Sequence, residues 1–187
     1  MPPSEKIYIT GTGRSGTTFL IKLFTFLGYN TGYNEANYDK FIFKNCNSGM
    51  ERHYGANCYV IKNPTIIFDI EAIVADPKIK IKYIIVPIRD YEESAQSRAR
   101  HGIMTSGGLW RAQNVSEQVL LYHKMMANFV YSMTTHDLPT IFLSFDKMVS
   151  DKQYLFNALK VILDEKNINI DRFSEIYDKI SVHSRPS

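Results

Sequence analysis

Hydrophobic and polar positions along the chain form two kinds of segment: short apolar runs bounded by turns, and longer stretches with helical spacing. The short runs have the length of strands, and the first of them, with Lys6 before it, alternates apolar and polar residues. The predicted strands are residues 7–10, 59–61, 81–86 and 140–144. Pro87 has no N–H to donate, so we expect pairing of the third strand to end there or that strand to lie near an edge.

Helical patterns separate the predicted strands, at residues 19–27, 66–74 and 92–100. Ser150 with Gln153 has the form of a capping box that opens a later helix. A longer amphipathic helix is predicted from six apolar residues at spacings of three and four: Val115, Val119, Tyr122, Met126, Phe129 and Met133. Strands that alternate with helices predict an α/β fold, with three αβα layers and a parallel sheet covered on both faces.

Composition bounds the class of protein. The length of 187 residues predicts one domain, and the net charge of +3 comes from scattered lysines and arginines, which favours a small anionic ligand over nucleic acid. Cys46 and Cys58 lack a second pair or a histidine set suited to zinc, so we expect reduced thiols. No charged leader precedes an apolar stretch, and no run approaches the roughly 18 apolar residues of a membrane span. We therefore expect a cytoplasmic protein that does not contact membranes.

Residues 11–18, hereafter the glycine-rich loop, read Gly-Thr-Gly-Arg-Ser-Gly-Thr-Thr between a predicted strand and a predicted helix. This is the glycine spacing of a phosphate-binding P-loop, in which backbone N–H groups and the helix N-terminus converge on one anion. Thr17 stands where a nucleotide triphosphatase carries lysine, and Arg14 is the strong cation within the loop. The loop is predicted to bind phosphate without hydrolysing ATP; the alternative is a plain glycine-rich turn.

Further motifs follow the predicted strands. Arg89 and Ser97 are eight positions apart in Ile-Arg-Asp-Tyr-Glu-Glu-Ser-Ala-Gln-Ser, so an arginine leaving a strand and a serine two helical turns later can meet one phosphate. Lys62 ends a strand in Ile-Lys-Asn-Pro, where the proline disfavours helix at the residue before it. Glu35 lies 21 positions after Arg14, and residues 142–151 read as a late strand followed by a capped acidic helix.

With these motifs, residues 7–163 resemble the sulfotransferases that use 3′-phosphoadenosine 5′-phosphosulfate (PAPS). The resemblance implies that Gly13, Arg14, Ser15, Gly16, Thr17 and Thr18 bind the 5′-phosphosulfate group. Arg89 and Ser97 would bind the 3′-phosphate, although Tyr91 stands where the family's motif usually has proline. Lys62 would face the sulfonate, and together with Arg14 it would be catalytic.

The catalytic base differs between branches of that family. Pro64 stands where the cytosolic hormone and phenol branch has its histidine, so a different base is required. Glu35 has the offset of the glutamate base in the tyrosylprotein and bacterial branches, which implies that Glu35 deprotonates the acceptor; the alternative for it is a solvated loop carboxylate. Three other carboxylates are poorer candidates, because no sequence feature ties them to the glycine-rich loop: Glu51, Asp69 and Glu71.

The sequence thus predicts in-line transfer of a sulfonate to a hydroxyl or amine of a small molecule, carbohydrate or peptide, without a metal. The loops at residues 30–55 and 101–114 are expected to form the acceptor pocket. Two alternatives stay open. A P-loop kinase would use ATP and magnesium, with Asp90 as the acidic ligand but no lysine at position 17. The other alternative is a nucleotide-binding module that has lost catalysis and serves as a regulatory or scaffold subunit.

Overall fold

The structure is a computed structural model that describes residues 3–103, 105 and 107–181. Its main sheet has four strands, all parallel, in the order β4-β1-β5-β6. The strands are β1 (Ser4–Ile9), β4 (Val60–Lys62), β5 (Ile79–Ile88) and β6 (Thr140–Ser144). Two further strands, β2 (Ile42–Phe43) and β3 (Ser48–Gly49), form a separate antiparallel hairpin.

Helices cover both faces of the main sheet. Successive residues of a strand point to opposite faces, so Ile7 and Ile9 of β1 enter one core and Tyr8 enters the other. The first core contains residues of α1 (Thr17–Phe26), α5 (Phe145–Ser150), α6 (Lys152–Leu163) and α7 (Ile170–Ser181). The second contains residues of α2 (Ile66–Ala75), α3 (Tyr91–Ala99) and α4 (Val115–Thr135). The predicted α/β class with a parallel sheet between helical layers is confirmed.

One local prediction, the capping box, needs correction. Ser150 does not cap α6, because it is the last residue of the short helix α5 and its Oγ donates to the carbonyl of Asp146 at 2.6 Å. The cap is Asp151, which has extended backbone angles and whose carboxylate accepts from the Tyr154 N–H at 2.9 Å. The sequence pattern was shifted by one residue because α5 and α6 follow each other directly.

Pro87 lies within β5, which is an interior strand. Pairing with β1 ends at Ile85, whereas pairing with β6 continues through Ile88. Because successive residues of a parallel strand present their N–H and C=O groups to alternate sides, Pro87 faces the β1 side, where the chain has already left the sheet at Gly11. The missing N–H of Pro87 therefore removes no hydrogen bond between strands. Pairing of β5 ends near Pro87 on the β1 side, as expected, but continues past Pro87 on the β6 side.

Helix α7 and the 3₁₀ turns at Tyr38–Phe41 and Asp164–Lys166 lie outside the predicted elements. The buried residues of α7 follow helical spacing: Phe173, Ile176, Tyr177 and Ile180. In the described part of the chain, no helix is both long enough and apolar enough to cross a bilayer. Cys46 and Cys58 are buried free thiols.

Candidate anion-binding and transfer site

The glycine-rich loop joins the carboxyl end of β1 to the N-terminus of α1. Its backbone turns through left-handed conformations, with φ of 78° at Gly13, 57° at Arg14 and 88° at Gly16. Among the described residues, the backbone N–H groups of residues 13–18 donate to no protein acceptor. Gly16 caps α1 without a side-chain bond, and the first turn of α1 carries no acidic residue. The loop therefore presents N–H donors without protein acceptors and the positive end of a helix, which together suit an anion.

Ser15 adds a side-chain donor to this loop. Its hydroxyl is buried without a hydrogen-bond partner in the described part of the chain. A buried hydroxyl that makes no bond costs roughly 1–3 kcal/mol, so a phosphate oxygen accepting from it would recover that penalty. The orphaned hydroxyl and the free N–H groups fit a bound phosphate, which is what the sequence predicts for this loop.

Arg14 connects the loop to the last turn of α3 and to the turn between β2 and β3. Its Nε donates to Ser97 Oγ at 3.1 Å, and its Nη1 donates to the carbonyl of Cys46. Arg89 follows β5 and its Nη1 donates to the Arg14 carbonyl at 3.4 Å. The structure therefore brings together Arg14, Arg89 and Ser97, which the sequence assigns to the two phosphate groups of one ligand.

Positive charge dominates this part of the site. Burial lowers the pKa of the Arg14 guanidinium, and the neighbouring Arg98, Arg89 and Arg100 lower it further, while the Cys46 thiol raises it. Among the described residues, Glu93 is the one carboxylate in ion-pair contact with these four arginines, at 3.1 Å from Arg89. Positive charges held this close together repel one another, and a bound anion lowers that repulsion.

Arg98 is a buried arginine that the motifs do not predict. It is 8% exposed, and its Nε donates to the Tyr122 hydroxyl at 2.8 Å. Its Nη1 donates to the Gly108 carbonyl at 2.7 Å and its Nη2 to the Thr12 carbonyl at 3.3 Å. Arg98 thus holds the glycine-rich loop in place through the Thr12 carbonyl. No signal in the sequence distinguishes it, because position 98 reads as one more polar residue of a predicted helix.

Lys62 ends β4 beside β1, with Ile9 as its neighbour across the sheet. It is 1% exposed, its Nζ donates to the Gly49 carbonyl at 3.0 Å, and it forms an ion pair with Glu51. Burial lowers the pKa of the Lys62 ammonium, whereas Glu51 raises it. Glu51 is one of the poorer candidates in the sequence. Its contact with Lys62 joins residues that no local pattern connects, so a single sequence carries no sign of it.

Glu35 lies in a different environment. Its carboxylate accepts a hydrogen bond from Lys179 of α7 at 2.7 Å, and its side chain is 48% exposed. It lines a cavity of about 160 Å³ with Lys22, Phe26 and Tyr38. The structure thus pairs Lys62 with Glu51 and pairs Glu35 with Lys179. The role of Glu35 as base stays a prediction.

Two observations concern the kinase alternative. The Asp90 carboxylate caps α3 by accepting from the Glu93 N–H at 2.9 Å, so that oxygen is engaged in helix capping. Within the described residues, no group of three or more histidine, cysteine, aspartate and glutamate side chains is arranged to hold a metal ion.

Comparison with solved structures finds a sulfotransferase domain from the curacin biosynthetic pathway. The TM-score is 0.53 at 16% sequence identity, and the match covers 90% of this chain and 75% of that chain. No family model matches the sequence, and no curated protein matches it. At this identity the likeness shows a shared fold, that of a sulfotransferase domain.

Proposed function

We propose that the protein transfers a sulfonate group from PAPS to an acceptor hydroxyl or amine. The observation that carries this proposal is the loop of free N–H donors with a buried, unpartnered Ser15 hydroxyl, bonded through Arg14 to Arg89 and Ser97. One anion site on the loop and a second cationic group beside it match a donor with phosphate groups at two positions. The shared fold with a sulfotransferase domain supports the same conclusion.

Different residues of the site have different roles in the proposed reaction. The loop N–H groups hold the 5′-phosphate, while Arg14 and Lys62 supply positive charge where the sulfonate moves and the phosphate leaves. The acceptor oxygen forms a new bond to sulfur as the bond between sulfur and the bridging oxygen breaks, and the electron pair of that bond stays on the phosphate. A carboxylate accepts the acceptor's proton; the sequence offset favours Glu35, and the contacts of Lys62 favour Glu51.

Calorimetry tests the donor assignment. We expect adenosine 3′,5′-bisphosphate to bind more tightly than ATP, and to bind equally well with and without magnesium. Arg89→Gln should weaken bisphosphate binding by about 10–100-fold, because a hydrogen bond to a charged group contributes about 1.5–3 kcal/mol. Arg172→Gln is the matched control, since Arg172 pairs with Glu175 on the exposed side of α7. Magnesium-dependent preference for ATP would favour the kinase instead.

Turnover separates the enzyme from a module that only binds nucleotide. The assay measures transfer of radiolabelled sulfate from PAPS to a panel of alcohols, phenols, sugars and peptides. Transfer to any acceptor removes the binding-only alternative. Tight bisphosphate binding with no transfer to any member of the panel would support that alternative.

A further inference from the structure

Glu51 is fixed at the carboxyl edge of the sheet by contacts on both sides of it in sequence. Before it, the Gly49 carbonyl accepts from Lys62 Nζ at 3.0 Å. After it, the Arg52 N–H donates to the Lys62 carbonyl at 3.1 Å, and the Arg52 carbonyl accepts from the Asn63 amide at 3.1 Å. The backbone that carries Glu51 is therefore held against the end of β4, next to the strand that leads into the glycine-rich loop.

The Glu51 carboxylate has one occupied and one available oxygen. Oε1 accepts from the Lys62 ammonium, whereas Oε2 accepts no hydrogen bond from the described residues. The side chain is 35% exposed, against 2% for Lys62. The second oxygen is therefore open to a ligand, while the first is held by the ammonium. A carboxylate held at one oxygen can accept a hydrogen bond, and then a proton, at the other.

Glu51 also lines a cavity of about 260 Å³ that β2 borders. Most of the other lining residues are apolar or aromatic: Tyr33, Phe41, Ile42, Phe43 and Met50. Phe41 and Phe43 are exposed large hydrophobic side chains, at 44% and 53%. The charged groups on the wall are Lys40 and Glu51. Such a cavity takes a mainly apolar ligand whose polar end lies at Glu51.

We propose that this cavity binds the acceptor, an alcohol or phenol on an apolar or aromatic body, and that Glu51 is the base that deprotonates it; this rests on the function proposed above. The acceptor's O–H proton passes to Glu51 Oε2 while its oxygen bonds to sulfur. The bond between sulfur and the donor's bridging oxygen breaks, and the electron pair leaves on the 5′-phosphate. Lys62 holds the Glu51 carboxylate in place through Oε1.

Variants at three glutamates test the base. With PAPS and 1-octanol, Glu51→Gln should lower kcat by about 10²–10⁴-fold, the usual contribution of a positioned base. Its affinity for adenosine 3′,5′-bisphosphate should stay within about twofold of wild type, since glutamine still accepts from Lys62. Glu51→Asp should retain more turnover than Glu51→Gln. Glu175→Gln, which loses an exposed ion pair on α7, is the matched control.

Glu35→Gln is the rival arm of the same experiment. Because Glu35 contacts Lys179 and not Lys62, we expect its replacement to leave most of the turnover intact. Loss of turnover in Glu35→Gln with retention in Glu51→Gln would overturn the proposal and restore Glu35 as the base. Retention of turnover in Glu51→Gln would overturn it whatever Glu35→Gln does. Thermal unfolding of each variant checks that it folds.

The acceptor class has its own test. Activity with 1-butanol, 1-hexanol and 1-octanol should rise by about fourfold in kcat/KM per added CH₂, as burial of each CH₂ contributes about 0.8 kcal/mol. Glucose should react more slowly than 1-octanol. Phe43→Ser should lower kcat/KM for 1-octanol by at least about tenfold, whereas Tyr131→Ser, at a 73% exposed aromatic of α4, should not change it. Faster reaction with glucose, or no effect of Phe43→Ser, would contradict the apolar pocket.

Failure of this inference and failure of the proposed function give different results. If bisphosphate does not bind to the wild-type protein, both fall together. If bisphosphate binds and sulfate is transferred, but turnover is independent of Glu51 and of chain length, only the assignment of the base and of the acceptor pocket falls.

Discussion

Gly13 and Gly28 adopt similar left-handed backbone conformations, with φ of 78° and 80°. Their surroundings differ. A Cβ on Gly13 would lie 2.2 Å from Arg98 Nη2, whereas a Cβ on Gly28 would have no neighbour within 4 Å. Gly13 is required by its left-handed conformation and also by Arg98, which is buried and has three hydrogen-bond partners. Gly28 is required by its conformation alone.

At this scale we expect Gly13→Ala to destabilise the protein more than Gly28→Ala. A left-handed alanine costs roughly 1–2 kcal/mol at either position, and at Gly13 the displacement of Arg98 adds to it. Gly13→Ala should also weaken bisphosphate binding, because Arg98 supports the loop through Thr12. Urea unfolding and calorimetry measure the two effects. Equal losses in both variants would show that Arg98 does not constrain position 13.

Among the secondary-structure elements, α5 and α6 show how closely spaced helices divide capping residues between them. Ser150 ends α5, and Asp151 begins α6 by accepting from the Tyr154 N–H. A capping carboxylate satisfies a backbone donor that has no partner within the helix, and it also interacts favourably with the helix dipole. The two adjacent polar residues therefore have unequal roles despite similar chemistry.

We expect Asp151→Ala to lower the free energy of unfolding by about 1 kcal/mol, the usual effect of removing an N-cap. Ser150→Ala should change it by less than about 0.5 kcal/mol, because its exposed hydroxyl bonds only within its own helix. Denaturant unfolding of both variants gives the comparison. A larger loss for Ser150→Ala would return the cap to the position that the capping-box pattern predicts.

The C-terminal helix α7 is packed into the same core as the glycine-rich loop's helix, α1. Tyr177 of α7 meets Phe19 of α1 edge to face at 5.5 Å between ring centroids, and Phe173 is fully buried. Lys179 reaches Glu35 in the segment after α1. Helix α7 therefore supports the helix whose N-terminus faces the anion site.

For the whole molecule we expect Phe173→Ala to cost about 3–5 kcal/mol of unfolding free energy, since it leaves a cavity in that core. Tyr131→Ala, at a 73% exposed position, should change it by less than about 0.5 kcal/mol. Circular dichroism and the fluorescence of Trp110 should report one shared transition, as the predicted single domain requires. Separate transitions, with only one of them sensitive to Phe173→Ala, would indicate that α7 unfolds independently.

Local patterns predicted much of this architecture. The strand and helix periodicities placed four strands and five helices close to their observed bounds, because amphipathic spacing depends on neighbours only a few positions apart. Helix α7 carries the same periodic signal at Phe173, Ile176, Tyr177 and Ile180, although it lies outside the predicted elements. Hairpin β2–β3, with strands of two residues each, has no such periodicity to detect.

By itself the sequence determined the parallel α/β class and the glycine-rich loop, since each depends on turn chemistry or on the spacing of residues a few positions apart. Only the tertiary structure decided which carboxylate meets Lys62. Glu35 and Glu51 both lie between α1 and β4 but outside the helical turn and the strands of that segment, where no periodicity fixes the direction of a side chain. Contacts with α7 and with the end of β4 separate them, and contacts between distant segments exist only once the sheet has formed.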